Sequence, residues 1–110
     1  MKLEVGMYVR TIGGIERLKK ENDNGWFFEK SMIIKPDNIE KYIIKASYNI
    51  IDLIEKNDYI NGSWVNEIVD GKPIHEDYND PFYSFGWEND DIKTVITHEQ
   101  MEQIAYKVDE

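Results

Sequence analysis

Residues 47–74, SYNIIDLIEKNDYINGSWVNEIVDGKPI, decide how the rest of the chain is read, because three strand signals and two turn signals fall within them. Residues 49–54 (NIIDLI) are apolar and β-branched, which predicts a strand. Asn57-Asp58 interrupts it, residues 58–60 resume extended character, and Asn61-Gly62 is a two-residue hairpin signal because both positions tolerate positive φ. Residues 64–69 predict the next strand, and Asp70-Gly71 a second tight turn into residues 72–74. Short strands joined locally make a meander.

Upstream, a turn at Val5-Gly6 precedes a strand through Arg10. This segment is similar to one inside the central stretch. Leu3, Glu4, Gly6, Tyr8 and Val9 match Ile54, Glu55, Asn57, Tyr59 and Ile60 at an offset of 51, and Ile15 and Leu18 match Val65 and Ile68 at an offset of 50. A strand, loop, strand unit occurring twice is one reading of the match, and chance similarity is the other. Gly13-Gly14 leads into residues 15–20, Glu-Asn-Asp-Asn-Gly at 21–25 predicts a turn, and residues 26–34 (WFFEKSMII) predict a strand that pairs with 15–20. After Pro36, Asp37-Asn38 can cap a helix of two to three turns, with Ile39, Tyr42, Ile43 and Ala46 on one face.

Downstream, residues 75–91 (HEDYNDPFYSFGWENDD) hold six acids, five aromatics and no Lys or Arg, and show neither helical nor strand periodicity. They read as a long loop, of the length that is often functional. Residues 92–96 alternate as a strand, Thr97 stands three before Gln100 as a capping box, and residues 105–108 (AYKV) predict a last short strand. The expected fold is α+β, mostly β. It is a small curled antiparallel sheet or SH3-like barrel, with one short helix after the first hairpin and a helical turn before the last strand.

The 110 residues suit a single domain, 1–110, large enough to bury a core. The chain has no cysteine, which excludes disulfides and thiolate metal sites and suits a reducing compartment. No signal peptide or membrane span is evident, so a soluble, intracellular location is expected. The net charge of −9 argues against a phosphate backbone as main partner. That charge is unevenly placed: residues 1–45 hold nine Lys or Arg against seven Asp or Glu, whereas residues 46–110 hold four against fifteen. Either this is ordinary solubility or it marks an acidic surface aimed at a basic partner.

Motifs for catalysis are missing. His75 and His98 stand in polar stretches, and Asp77, Asp80, Glu88, Asp90 and Asp91 lack the spacing of a calcium loop. Neither a Gly-flanked serine elbow nor a phosphate-cradling glycine loop with its lysine occurs. An enzyme is not expected, nor a cofactor or metal. A nucleic-acid-binding hairpin is the competing reading, with Arg10, Arg17, Lys19, Lys20, Lys30 and Lys35 around Trp26, Phe27 and Phe28. Interleaved acids and the apolar context of those rings weigh against it.

At residues 45–62 (KASYNIIDLIEKNDYING) and again at 92–108 (IKTVITHEQMEQIAYKV), the chain resembles small uncharacterised proteins encoded by phages, prophages and integrative elements of Gram-positive bacteria. Those proteins show a strand, a Gly-Asp-Tyr-Val-Asn-Gly-like turn, and a Thr-x-Glu-Gln-Phe-type cap before a Tyr-x-Val strand. Asn57 stands here where Gly is usual, and Met101 where Phe is usual. With Gly6 to Arg10, the likeness covers about half the chain.

The resemblance implies an interaction protein, since small acidic phage proteins often act by occupying a host protein. Anti-CRISPR proteins include members that fill the basic nucleic-acid channel of a Cas effector. On this expectation Asp77, Tyr78, Asp80, Tyr83, Glu88, Asp90 and Asp91 face a basic bacterial partner, carboxylates standing in for phosphates and rings anchoring the contact. The partner is then a protein of the bacterial host cytoplasm, of which a Cas effector is one kind, rather than nucleic acid or membrane.

Overall fold

The computed structural model describes residues 2–75, 88–106 and 108. They form a mostly β structure of two antiparallel sheets with one short helix. The first sheet is built from β1 (Tyr8–Thr11), β2 (Gly14–Asn22), β3 (Gly25–Phe28), β4 (Met32–Ile34) and β5 (Lys45–Ser47), in the order β4-β3-β2-β1-β5. The second contains β6 (Tyr59–Ile60), β7 (Ser63–Val69), β8 (Lys72–His75) and β9 (Val95–Ile96), in the order β8-β7-β6-β9. The helix α1 (His98–Ile104) follows. Among the described residues neither sheet closes on itself, so each keeps two edges.

The internal similarity has a structural counterpart. Gly6 N–H donates to Leu18 C=O at 2.9 Å, Leu18 N–H to Met7 C=O at 2.8 Å, and Met7 N–H to Glu4 C=O at 3.1 Å. In the second unit Asn57 N–H donates to Val65 C=O at 2.9 Å, Val65 N–H to Asp58 C=O at 2.7 Å, and Asp58 N–H to Glu55 C=O at 3.1 Å. Gly6 (φ 98°) and Asn57 (φ 76°) take the left-handed conformation that the turn demands, which explains Gly or Asn there. The equivalence bears out Leu3 with Ile54 and Val9 with Ile60, all buried. It corrects the downstream match. From Met7 to Leu18 the chain advances eleven positions, and from Asp58 to Val65 only seven, so Leu18 corresponds to Val65 rather than to Ile68.

Each unit fills its own core. Leu3, Val9, Leu18, Phe28, Ile39 and Ile43 pack in the first, and Ile54, Ile60 and Val65 in the second. Ile15 of β2 packs into the second core, tying the units together. The two I′-type turns form as expected, with positive φ at Asn61, Gly62, Asp70 and Gly71.

Several expectations are corrected. Residues 49–54 are not a strand: Ile50–Leu53 is a single 3-10 turn, because turning the chain here buries the adjacent Leu53 and Ile54, which alternation would have split between two faces. Residues 26–34 form not one strand but the β3–β4 hairpin. Gly25 lets the Ile33 carbonyl approach closer than any Cβ there would allow, and Glu16 holds the turn by accepting from Lys30 N–H (2.7 Å) and Ser31 Oγ (2.8 Å). The helix after the first hairpin shrinks to one 3-10 turn, Ile39–Lys41, capped by the Asn38 side chain. Lys45–Ser47 instead pairs with β1, since the open edge of β1 supplies hydrogen bonds that a two-turn helix would have to nucleate unaided. Only Val95–Ile96 of residues 92–96 is strand. Beyond α1 the expected closing strand is not formed by Ala105, Tyr106 or Val108.

Candidate functional site

Four of the seven anticipated contact residues, Asp77, Tyr78, Asp80 and Tyr83, lie outside the described residues. The other three sit together. Asn89–Asp91 is a 3-10 turn closed by a capping box in which Glu88 and Asp91 each accept the other's backbone N–H. Asn61 of the β6–β7 turn braces it, Nδ2 donating to Asp91 C=O at 2.8 Å while Oδ1 accepts from Lys93 and Thr94 N–H. Asn89 braces it from the other side, Oδ1 accepting from Ile51 N–H at 2.9 Å and Nδ2 donating to Asn49 Oδ1 at 3.1 Å. Glu88, Asp90 and Asp91 are thus exposed on a backbone tied at both ends. Lys72 reaches Glu88 Oε1 at 2.5 Å, an exposed pair worth about 0–1 kcal/mol that another cation can displace.

A second cluster went unread in the sequence. Val9 and Arg10 of β1 are both fully buried, Val9 toward the first core and Arg10 toward the second unit. The Arg10 guanidinium forks onto Asp58, Nη1 to Oδ2 at 2.5 Å and Nη2 to Oδ1 at 2.8 Å, and donates to Leu53 C=O at 2.9 Å. Its remaining edge takes both oxygens of Glu99 on α1, at 2.9 and 2.6 Å. Asp58 also accepts from Glu55 N–H (2.7 Å) and His98 N–H (2.9 Å), so its lone pairs are filled. Glu55 pairs with Lys45 (3.2 Å) and with His98 Nε2 (3.0 Å), and His98 Nε2 also lies 2.8 Å from Glu99.

The electrostatics follow from this crowding. Burial works against the charge on Arg10, but Asp58 and Glu99 outweigh it and hold the guanidinium protonated above its ordinary range. Burial likewise resists ionisation of Glu55 and Glu99. For Glu55, His98, Lys45 and Arg10 prevail, and for Glu99 chiefly Arg10, so both carboxyls lie below the usual range.

Glu55, His98 and Glu99 bring one ligand atom each within 4.8 Å of one another. Arg10 already holds both oxygens of Glu99, and Lys45 holds Glu55, so a cation entering there would meet two positive charges. The cluster fits a structural clamp between the units better than a metal centre. No sequence motif marks Arg10 or Asp58, which are 48 positions apart.

On the first hairpin the rings proposed for base stacking are occupied. Lys35 lies 4.9 Å over Trp26 and pairs with Glu21, Lys20 lies over Phe27, and Phe28 is in the core. Arg17 covers Tyr8, and Arg10 is inaccessible.

The chain significantly matches no family model, no curated protein and no solved structure. Among the described residues, no helix is long and apolar enough to cross a membrane.

Proposed function

We propose that the chain is an interaction protein, anti-CRISPR-like in kind, that inhibits a nucleic-acid-processing defence protein of a bacterial host by presenting an acidic, aromatic surface to its basic groove. The scaffold on this reading is a small curled antiparallel β structure, SH3-like in kind. The observation that carries it is the way charge follows the fold. The near-neutral residues 1–45 supply the first sheet up to the start of β5, and the acidic residues 46–110 supply the second sheet and α1. Exposed Glu67, Asp70, Glu88, Asp90 and Asp91 all belong to that second half, and Lys72 and Lys93, two of its three described lysines, fold onto Glu88 and the Asp90 carbonyl. Such a surface attracts a cationic groove and orients the encounter. Asp77, Tyr78, Asp80 and Tyr83 belong to the same proposed face.

The test is target-DNA cleavage by a panel of purified Cas effectors with and without the chain. One effector should be inhibited, and inhibition should vanish when Asp77, Asp80, Glu88, Asp90 and Asp91 are changed to Asn or Gln while circular dichroism is unaltered. Inhibition that survives neutralisation, or a panel left untouched, sinks the proposal. Direct binding of the chain to labelled DNA or RNA near physiological salt would instead favour the first hairpin as a nucleic-acid module.

A further inference from the structure

β4 is an edge strand of an unusual kind. Phe28 N–H donates to Ser31 C=O (2.8 Å) and Lys35 N–H to Asn24 C=O (3.0 Å), so residues 31, 33 and 35 face β3 and the backbone groups of Met32 and Ile34 turn outward. Among the described residues nothing takes the N–H of Met32 or Ile34, while Ile34 C=O accepts from Asp37 N–H. Natural edges are usually blunted by charge or proline. This one carries Met32 (51 % exposed) and Ile34 (58 % exposed). Both line a groove of about 690 Å³ whose other apolar walls include Ile12, Tyr42 and Ile44, all exposed.

The same chain holds a strand signal without a strand. Residues 105–108 (AYKV) have the composition of a closing strand, yet Tyr106 is 90 % and Val108 75 % exposed. In extended form side chains two residues apart, as Tyr106 and Val108 are, point the same way. A pair of apolar side chains two residues apart suits the apolar walls of the groove beside Met32 and Ile34. Gln103 Nε2 donates to Ile12 C=O, which sets the end of α1 at the rim of the groove. Within one chain the groove nevertheless stays open and both residues stay exposed.

We infer that the segment after α1 of one copy adds as a strand to β4 of a second copy, Tyr106 and Val108 entering the groove, and that two-fold symmetry repeats the exchange. Each copy's segment starts beside its own groove, so a two-fold axis near Ile12 makes the exchange short and reciprocal. The proposal does not depend on the acidic face or on its partner.

Sedimentation equilibrium of the 110-residue chain tests it. The chain should form a reversible dimer, and both Ile34→Lys and removal of residues 105–110 should raise the dissociation constant at least tenfold. Mixing the two variants should give a heterodimer tighter than either variant forms alone and weaker than the unaltered dimer, because one of the two exchanges survives: the Ile34→Lys copy still supplies the segment and the shortened copy still supplies the groove. Tyr106→Ser with Val108→Ser repeats the test at two exposed side chains, whose loss leaves the core intact. A chain monomeric at every concentration, including one whose segment docks in its own groove, overturns the inference, as does a dimer indifferent to all three variants.

Discussion

Arg10 is the side chain on which the joint between the units turns, and its energetics are those of a buried ion pair. Desolvating a guanidinium and a carboxylate costs several kcal/mol each, offset only because every donor of the fork and every lone pair of Asp58 is used. Removing one partner therefore costs more than removing both. Arg10→Met should destabilise by about 3–5 kcal/mol in urea denaturation, through the charge left stranded on Asp58. The double variant Arg10→Met with Asp58→Asn removes the stranded charge and keeps an amide oxygen to accept from the Glu55 or His98 N–H, so it should recover part of that loss, and a double variant no better than the single one would show that the bridge matters for more than its own charge.

The same residues set an acid limit. Glu55 and Glu99 have folded-state pKa values below their unfolded ones, so their contribution is complete above about pH 4.3 and is lost as pH falls through the lower, folded values. Arg10 stays protonated throughout and adds no slope. Stability measured from pH 7 down to pH 2 should fall in that acid range, and Glu99→Gln should flatten part of the fall.

At the level of elements, α1 is held by its first turn. Thr97 is fully buried, its Oγ1 accepts from Gln100 N–H at 3.2 Å, and its own N–H donates in return to Gln100 Oε1 at 2.9 Å. Thr97→Ala should cost about 1 kcal/mol, read as a lowered midpoint at unchanged denaturant slope. The β3–β4 hairpin depends on Gly25 in a different way, since any Cβ there meets a backbone carbonyl that cannot swing aside. Gly25→Ala should cost about 1–3 kcal/mol and selectively raise amide exchange in residues 24–35.

Which elements were legible follows from the length of the interaction that makes them. The Asn61-Gly62 and Asp70-Gly71 turns, the Thr97 capping box and the Asn38 cap are made within four residues, and each was readable. The 3-10 turn at Ile50–Leu53 and strand β5 were misread. Both depend on partners far off in the chain, Asn89 for the first and β1 for the second. Of the expected site, the grouping of Glu88, Asp90 and Asp91 was visible as local acidity, whereas the bracing by Asn49 and Asn61 was not.

For the whole molecule, the two units are expected to unfold as one. Ile15 packs into the second core, and Arg10 carries a bond from β1 to Asp58, Leu53 and Glu99, so neither half is complete alone. Trp26 reports the first unit and Trp64, whose Nε1 donates to Asn57 Oδ1 at 3.1 Å, the second. Urea curves of the Trp26→Phe and Trp64→Phe variants, each in a Trp87→Phe background so that one tryptophan remains, should share one fluorescence midpoint once corrected for the cost of each substitution. Adding Arg10→Met should separate them if the bridge carries the coupling.

Composition and local pattern by themselves determined that this chain is mostly β, that it turns at Asn61-Gly62 and Asp70-Gly71, that a capped helix begins at Thr97, and that its negative charge lies past residue 45. They could do so because turn chemistry, capping and charge are properties of neighbouring residues. Only the tertiary structure decided that Arg10 is a buried clamp rather than a surface cation, that residues 26–34 fold into a hairpin, and that Met32 and Ile34 edge an open groove. Those outcomes rest on which distant carboxylate, carbonyl or strand edge reaches a residue, and the sequence around that residue contains no record of it.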